Sequence, residues 1–291
     1  MKKVFLIVLL IAILSFSVFS KWGIFVADEN AAEMELKEYS RIVSLSPAAV
    51  EIIYMIGGEE KIVGIATSRS GIWPKEKTSK LESVGSLTKP SLEKIVSLEP
   101  DLVILNSMNL QFSESLKQNG INYIEYSSDS LEDMLKELPL FGILVDKQEE
   151  AIVLSAEKIR KLENIRKSLE EKPLNLKGAF LYSANPLQGF NEKSLPGQIL
   201  EILGCDNLVK SDMAKPIITP EYLVERNPDF LFGAMAIKNV EDIVNSNPLI
   251  YETRAGIEDS IYLIPSYKIL RPTPRVIDYI EEIYELLKKI D

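Results

Sequence analysis

Two stretches decide the fold: Ser91-Leu92-Glu93-Lys94-Ile95-Val96-Ser97-Leu98-Glu99-Pro100-Asp101-Leu102-Val103-Ile104, and Thr219-Pro220-Glu221-Tyr222-Leu223-Val224-Glu225-Arg226-Asn227-Pro228-Asp229-Phe230-Leu231-Phe232. They are one pattern used twice at a constant offset of 128 residues. In each, Ser91 or Thr219 stands where a helix N-cap belongs, and Glu93 or Glu221 falls in the first helical turn. The helix must stop before its proline, because proline disfavours the helical region at the residue preceding it. The Asp then opens an apolar run of strand length. Taken singly, each glutamate suits the helix macrodipole and needs no other role. That both copies carry one, in separate halves of the chain, suggests two similar lobes each presenting an acid to a partner with two basic sockets.

Working outward, strands alternate with helices on both sides. Arg41–Leu45 reads as a strand, Ser46-Pro47 as a cap and first helical position, and Ile52, Ile53, Met55 and Ile56 as that helix's buried face, ending at Gly57-Gly58. Lys61–Ala66 is a second strand, and its exit, 67–74, is a polar loop carrying Trp73. Trp73 is either a lid over the core or a face for a flat ligand. The later half echoes this order: strand 177–182, a loop over 183–194, a Pro-initiated helix 195–203, the second copy of the pattern, strand 261–264 and a closing helix from Pro274. Such alternation predicts parallel α/β lobes, whose ligands lie beyond the carboxyl ends of the strands.

Between the halves, residues 146–172 contain neither Gly nor Pro, and Ile152, Ala156, Ile159, Leu162, Ile165 and Leu169 recur at threes and fours. This predicts a helix of 27 residues, about 40 Å long at 1.5 Å per residue. It is either an edge helix of one domain or a strut between two lobes, and the repetition to either side favours the strut. The organisation expected is a signal peptide or uncleaved anchor over 1–20, a tether over 21–39, a lobe over 40–144, a bridging helix over 145–173 and a second lobe over 174–291.

Composition narrows the function. A formal charge of -10 argues against nucleic acid as a partner, since its phosphates would be repelled. Histidine is absent and Cys205 is the sole cysteine, so no Ser-His-Asp or Cys-His catalytic centre, intramolecular disulfide or cysteine-rich zinc site can be assembled. Cys205 itself reads as a small buried filler. Met1-Lys2-Lys3 followed by the apolar run Val4–Phe19 has the form of an export signal. No cysteine lies near it, so acylation of a cysteine is not expected there. The expectation is an exported protein, possessing a tether if the leader is retained.

Arg41-Ile42-Val43-Ser44-Leu45-Ser46-Pro47-Ala48-Ala49-Val50-Glu51-Ile52-Ile53-Tyr54, the Ser91–Ile104 segment and Asn227-Pro228-Asp229 resemble the substrate-binding proteins of ABC importers for vitamin B12, haem and ferric siderophores. The resemblance covers about residues 40–289. It implies an α/β protein of two parallel-sheet lobes bridged by one long rigid helix, a ligand cleft between the lobes, little hinge closure, no enzymatic activity and a monomer. It also implies that Glu93 and Glu221 dock onto the two membrane subunits. By position, the cleft residues would be Trp73, Leu87, Tyr182, Asn185, Phe190, Tyr267 and Arg271, with Arg271 facing an anionic group of the ligand. Leu87 stands where some cobalamin binders have an aromatic residue. The ligand implied is a metal chelate, ferric siderophore-like or a corrinoid or haem, carrying iron or cobalt with its own ligands. No resident cofactor or protein-bound metal is expected. Two other readings stand beside this one: a sensor presenting the chelate to a receptor, and an enzyme using Glu93 and Glu221 as a carboxylate pair, which would need them within about 10 Å.

Overall fold

The two copies of the repeated pattern fold alike. In a computed structural model of the chain, which describes residues 37–126 and 130–290, both begin with a side-chain cap. Ser91 Oγ accepts from Lys94 N–H at 3.3 Å and Thr219 Oγ1 from Tyr222 N–H at 3.2 Å. Both helices are followed by a left-handed residue, Glu99 at φ 47° and Asn227 at φ 48°, directly before the Pro-Asp pair. The strands that follow, Leu102–Leu105 and Phe230–Gly233, keep the same offset. In each copy the Asp carboxylate ties down the start of the neighbouring strand. Asp101 accepts from the Ser40 and Arg41 N–H groups, both at 2.8 Å, and Asp229 from Lys177 N–H at 2.7 Å.

Two sheets result. The first half runs β1 (Ile42–Ser44), α1 (Pro47–Met55), β2 (Ile62–Thr67), α2 (Lys75–Thr78), β3 (Ser83–Ser86), β4 (Lys89–Pro90), α3 (Leu92–Ser97), β5 (Leu102–Leu105), α4 (Ser113–Gln118), β6 (Asn122–Glu125) and α5 (Leu131–Leu144). Its strand order is β4-β3-β2-β1-β5-β6, parallel except for β3 with β4. The helix α6 (Gln148–Glu171) follows, then β7 (Lys177–Ala184), β8 (Leu187–Gly189), α7 (Leu195–Ile202), β9 (Asp206–Asn207), α8 (Pro220–Arg226), β10 (Phe230–Gly233), α9 (Val240–Val244), α10 (Arg254–Ile257), β11 (Ile261–Leu263), α11 (Ser266–Ile269) and α12 (Arg275–Leu287). The second sheet has the order β11-β10-β7-β8, with β9 on β7, and is parallel except for β7 with β8. The stretch read as a loop over 183–194 therefore contains the tip and return strand of a hairpin.

Alternation along the strands assigns each sheet two cores. Val43, Leu45, Val103 and Leu105 pack under the outer helices of the first sheet, and Ala179, Leu181 and Leu231 under those of the second. The opposite faces meet in one continuous apolar cluster that contains Ile42, Leu102 and Ile104 together with Phe180, Phe230 and Phe232. Parting the two sheets would expose that shared core, which opposes wide hinge motion.

Helix α6 lies against α5 of the first half and α12 of the second. It has 24 residues, about 36 Å, three fewer than the sequence suggests. Its packed face also differs. Ala151, Lys158, Leu162 and Ile165 are buried, whereas Ile152 and Ile159 are 48% and 43% exposed. The steps 151, 158, 162, 165, 169 follow the seam of two adjacent helices, and Lys158 enters it because Asp278 of α12 receives its ammonium at 2.9 Å. Tyr39, read as the last residue of the tether, is buried, and its N–H donates to Leu144 O at 2.9 Å. The apolar run 4–19 and the rest of the tether to residue 36 lie outside the described residues. Among the described residues no helix is long and apolar enough to cross a membrane.

Candidate functional site: a charged clasp at the strand ends

Helix α1 starts at the end of β1, where Ser46 Oγ accepts from Ala49 N–H at 3.4 Å and Pro47 takes the first turn. Its buried face carries Val50, Ile52 and Ile53, and between them Glu51, whose side chain is 1% exposed. A carboxylate in that position must be paired, since burying it alone costs several kcal/mol. Three donors meet it. Trp73 N–H reaches Oε1 at 3.2 Å, Arg271 Nη1 bonds the same oxygen, and Arg275 Nη1 reaches Oε2 at 3.0 Å. The other edge of Arg271 donates from Nη2 to Ser70 Oγ at 2.9 Å, Gly71 O at 3.0 Å and Ser68 Oγ at 3.4 Å. Arg271 thus leaves the second half of the chain and ends wholly among groups of the first.

Aromatic rings extend the cluster. The Arg275 guanidinium sits 4.8 Å from the centre of Trp73 and 5.5 Å from that of Tyr279, close enough for cation–π attraction to both. Tyr279 also carries Lys268 at 4.6 Å and meets Tyr267 edge-on at 6.4 Å. Burial pushes the Tyr279 hydroxyl up, with the Arg275 charge opposing it. Trp73 and Tyr267 stay 39% and 41% exposed, so each offers a ring to an incoming molecule.

The structure therefore gathers three of the expected cleft residues, Trp73, Tyr267 and Arg271, into one cluster. The others form separate groups. Leu87 lies at the end of β3, half-buried against the outer core, its carbonyl accepting from Asn109 Nδ2 at 2.9 Å. Tyr182 is half-buried under Lys215, 4.7 Å from the ring centre. Phe190 is 1% exposed and meets Tyr182 edge-on at 5.7 Å, so it supports that ring from within the core and has no face for a ligand. Asn185 is at the hairpin tip and lines an open groove of about 770 Å³ together with Ile217, Thr219, Glu221, Asp242 and Asn245. An expected cleft residue and an expected docking residue thus share one depression.

Glu93 and Glu221 occupy the same place, second residue of α3 and of α8, and both are exposed. Asn247 Nδ2 donates to Glu221 Oε1 at 3.2 Å. Among the described residues no group of three or more Cys, Asp or Glu side chains is arranged to hold a metal ion. Sequence reading missed Glu51, Arg275, Ser68, Ser70 and Tyr279. The available signal was Glu51 itself, a lone charge amid Val50, Ile52 and Ile53, which required a cation from elsewhere.

Residues 42–268 match the family described as periplasmic binding protein. The uncharacterised ABC transporter substrate-binding lipoprotein YvrC of Bacillus subtilis is 26% identical over 86% of this chain and 80% of its own length. A vitamin B12-binding protein of Vibrio parahaemolyticus is 26% identical over 90% of this chain and 94% of its own. The petrobactin-binding protein YclQ of Bacillus subtilis is 23% identical over 70% of this chain and 66% of its own. Among solved structures, the periplasmic haem-binding protein RhuT of Roseiflexus sp. RS-1 shares the fold with a TM-score of 0.75 at 21% identity, over 86% of this chain and 98% of that one. The chain belongs to the periplasmic binding protein family.

Proposed function

We propose that this protein delivers a metal chelate, ferric siderophore-like or a corrinoid or haem, to an ABC importer outside the cytoplasmic membrane. The observation that carries the reading is the cluster where Trp73 and Tyr267 leave rings exposed beside the Arg271–Glu51–Arg275 clasp, at strand ends of two sheets that share one core. Flat apolar faces beside a cationic edge suit a large chelate with a polar rim. The family supports transport, and the relatives named for vitamin B12 and petrobactin support the chelate class. In this reading the cargo brings its own metal ligands, and the protein acts by binding. On the same reading Leu87, Tyr182 and Asn185 also reach the ligand, and Glu93 and Glu221 dock onto the membrane subunits. The leader over 1–20 exports the chain. A lipid anchor on cysteine forms no part of the proposal, because Cys205 is the only cysteine and is buried in the second half.

The test is a melting-temperature screen of the protein against cobalamin, cobinamide, haem and several ferric siderophores, each beside its metal-free form. Ligand at 100 times its dissociation constant stabilises by about 2.7 kcal/mol, which raises the melting point by roughly 4–5 °C in a chain of this size. A shift with the metal-loaded form alone supports the proposal. A flat response across the panel would remove the chelate assignment.

A further inference from the structure

The clasp is one negative charge short. Arg271 and Arg275 share the single carboxylate of Glu51, and their side chains are 11% and 16% exposed. Beyond Tyr279, Lys268 and Glu282 pair with each other and leave no carboxylate over for the clasp. A sheltered excess cation is costly unless an anion meets it, so the clasp has electrostatic room for one anionic group.

Geometry decides which edge that group can use. Glu51 places one oxygen on Nη1 of Arg271 and the other on Nη1 of Arg275, and so fills the space the two guanidiniums share. The remaining edge of Arg271 is faced only by the hydroxyls of Ser68 and Ser70, 3.1 Å apart, and by Gly71 O. Both hydroxyls can rotate to donate to an incoming oxygen, and Ser70 is exposed.

We propose that Glu51 is a specificity-determining residue: it pre-occupies the shared edge of Arg271 and Arg275, so the cleft accepts a ligand with one anionic group at the Ser68–Ser70 edge and rejects a dianionic group that needs both guanidiniums. The inference rests on reading this cleft as the ligand seat, and it deepens that reading by naming the ligand's charge. Replacing Glu51 by Gln would leave two adjacent cations with no carboxylate, a ready receptor for a dianion.

Formate and inorganic sulfate serve as probes, titrated at constant ionic strength while melting temperature is followed. Wild type should respond to formate, and no more strongly to sulfate. Glu51→Gln should melt lower without anion and recover in sulfate, with an apparent affinity about tenfold tighter than wild type. Arg275→Gln leaves a neutral Glu51–Arg271 pair and should lose the formate response. Glu51→Gln that folds only in sulfate supports the proposal equally; should it fail to fold in any buffer, Arg275→Gln decides. The proposal is overturned if Glu51→Gln binds sulfate no tighter than wild type, or if Arg275→Gln keeps the full formate response. Because the probes are simple anions, failure of the chelate screen would not disturb this result.

Discussion

Asp229→Ala offers the sharpest test of the repeated pattern. The Asp229 side chain is 9% exposed; it accepts the Lys177 N–H at 2.7 Å where β7 begins and pairs with Arg254 at 3.0 Å. Alanine would leave the Lys177 N–H without its acceptor. Losing a hydrogen bond to a charged group costs about 1.5–3 kcal/mol. Arg254 is 42% exposed and adds little, since water can take over its pairing. The expected loss is therefore roughly 2–3 kcal/mol, or about 3–5 °C in melting temperature. Asp101 makes the matching bonds, but to the N–H groups of Ser40 and Arg41, both of which lie on exposed residues. Water can replace them, and Asp101→Ala should cost about 1 kcal/mol or less. Asp229→Asn keeps an acceptor for Lys177 and should fall between wild type and Asp229→Ala. Urea titrations with a common m-value would measure all three. Equal losses for Asp101→Ala and Asp229→Ala, or an Asn variant as weak as the Ala one, would refute the argument that burial sets the value of this tie.

Glu93→Ala and Glu221→Ala should leave chelate-induced stabilisation unchanged while abolishing ligand-dependent ATPase stimulation in reconstituted importer; retained stimulation would remove them from docking. Burial alone would raise the Asp278 carboxyl, but bonds from Lys161 and Lys158 hold it below the usual range, while bonds to Asp278 and Glu281 raise the Lys161 ammonium. The Asp278 contribution is thus present above the ordinary Asp value of about 3.9 and is lost as pH falls through the lower folded value, so Asp278→Asn should flatten stability against pH in that acid range. Burial, with Asp229 adding, pushes the Cys205 thiol up to about 12, so iodoacetamide at pH 8 should label it only after unfolding. On α6, Leu162→Ala should cost about 2–5 kcal/mol, whereas Ile159→Ser should leave the urea midpoint nearly unchanged.

Much of the scaffold was legible because its signals are local. A cap, a first-turn acid, a proline and an apolar run act within some fourteen residues, and finding them twice at one offset indicated two like halves. The absence of Gly and Pro likewise marked α6. The packed face of that helix was not legible. Ile152 and Ile159 are as apolar as Leu162, and only the positions of α5 and α12 decide that Ala151 and Lys158 lie in the seam while those isoleucines face outward. The site was legible in part for the same reason. Trp73, Tyr267 and Arg271 could be picked out as loop residues beyond strand ends, yet Phe190, in an equally suitable stretch, turns into the core. Glu51 showed only a charge in need of a partner. Its cationic partners stand 220 and 224 residues away, and no local pattern encodes a pairing that exists only once both sheets have closed on their common core. Sequence by itself determined the repeated unit, the long helix and the acids at the two helix starts. Tertiary structure alone decided which charges meet, because burial and pairing depend on what the fold brings alongside each side chain.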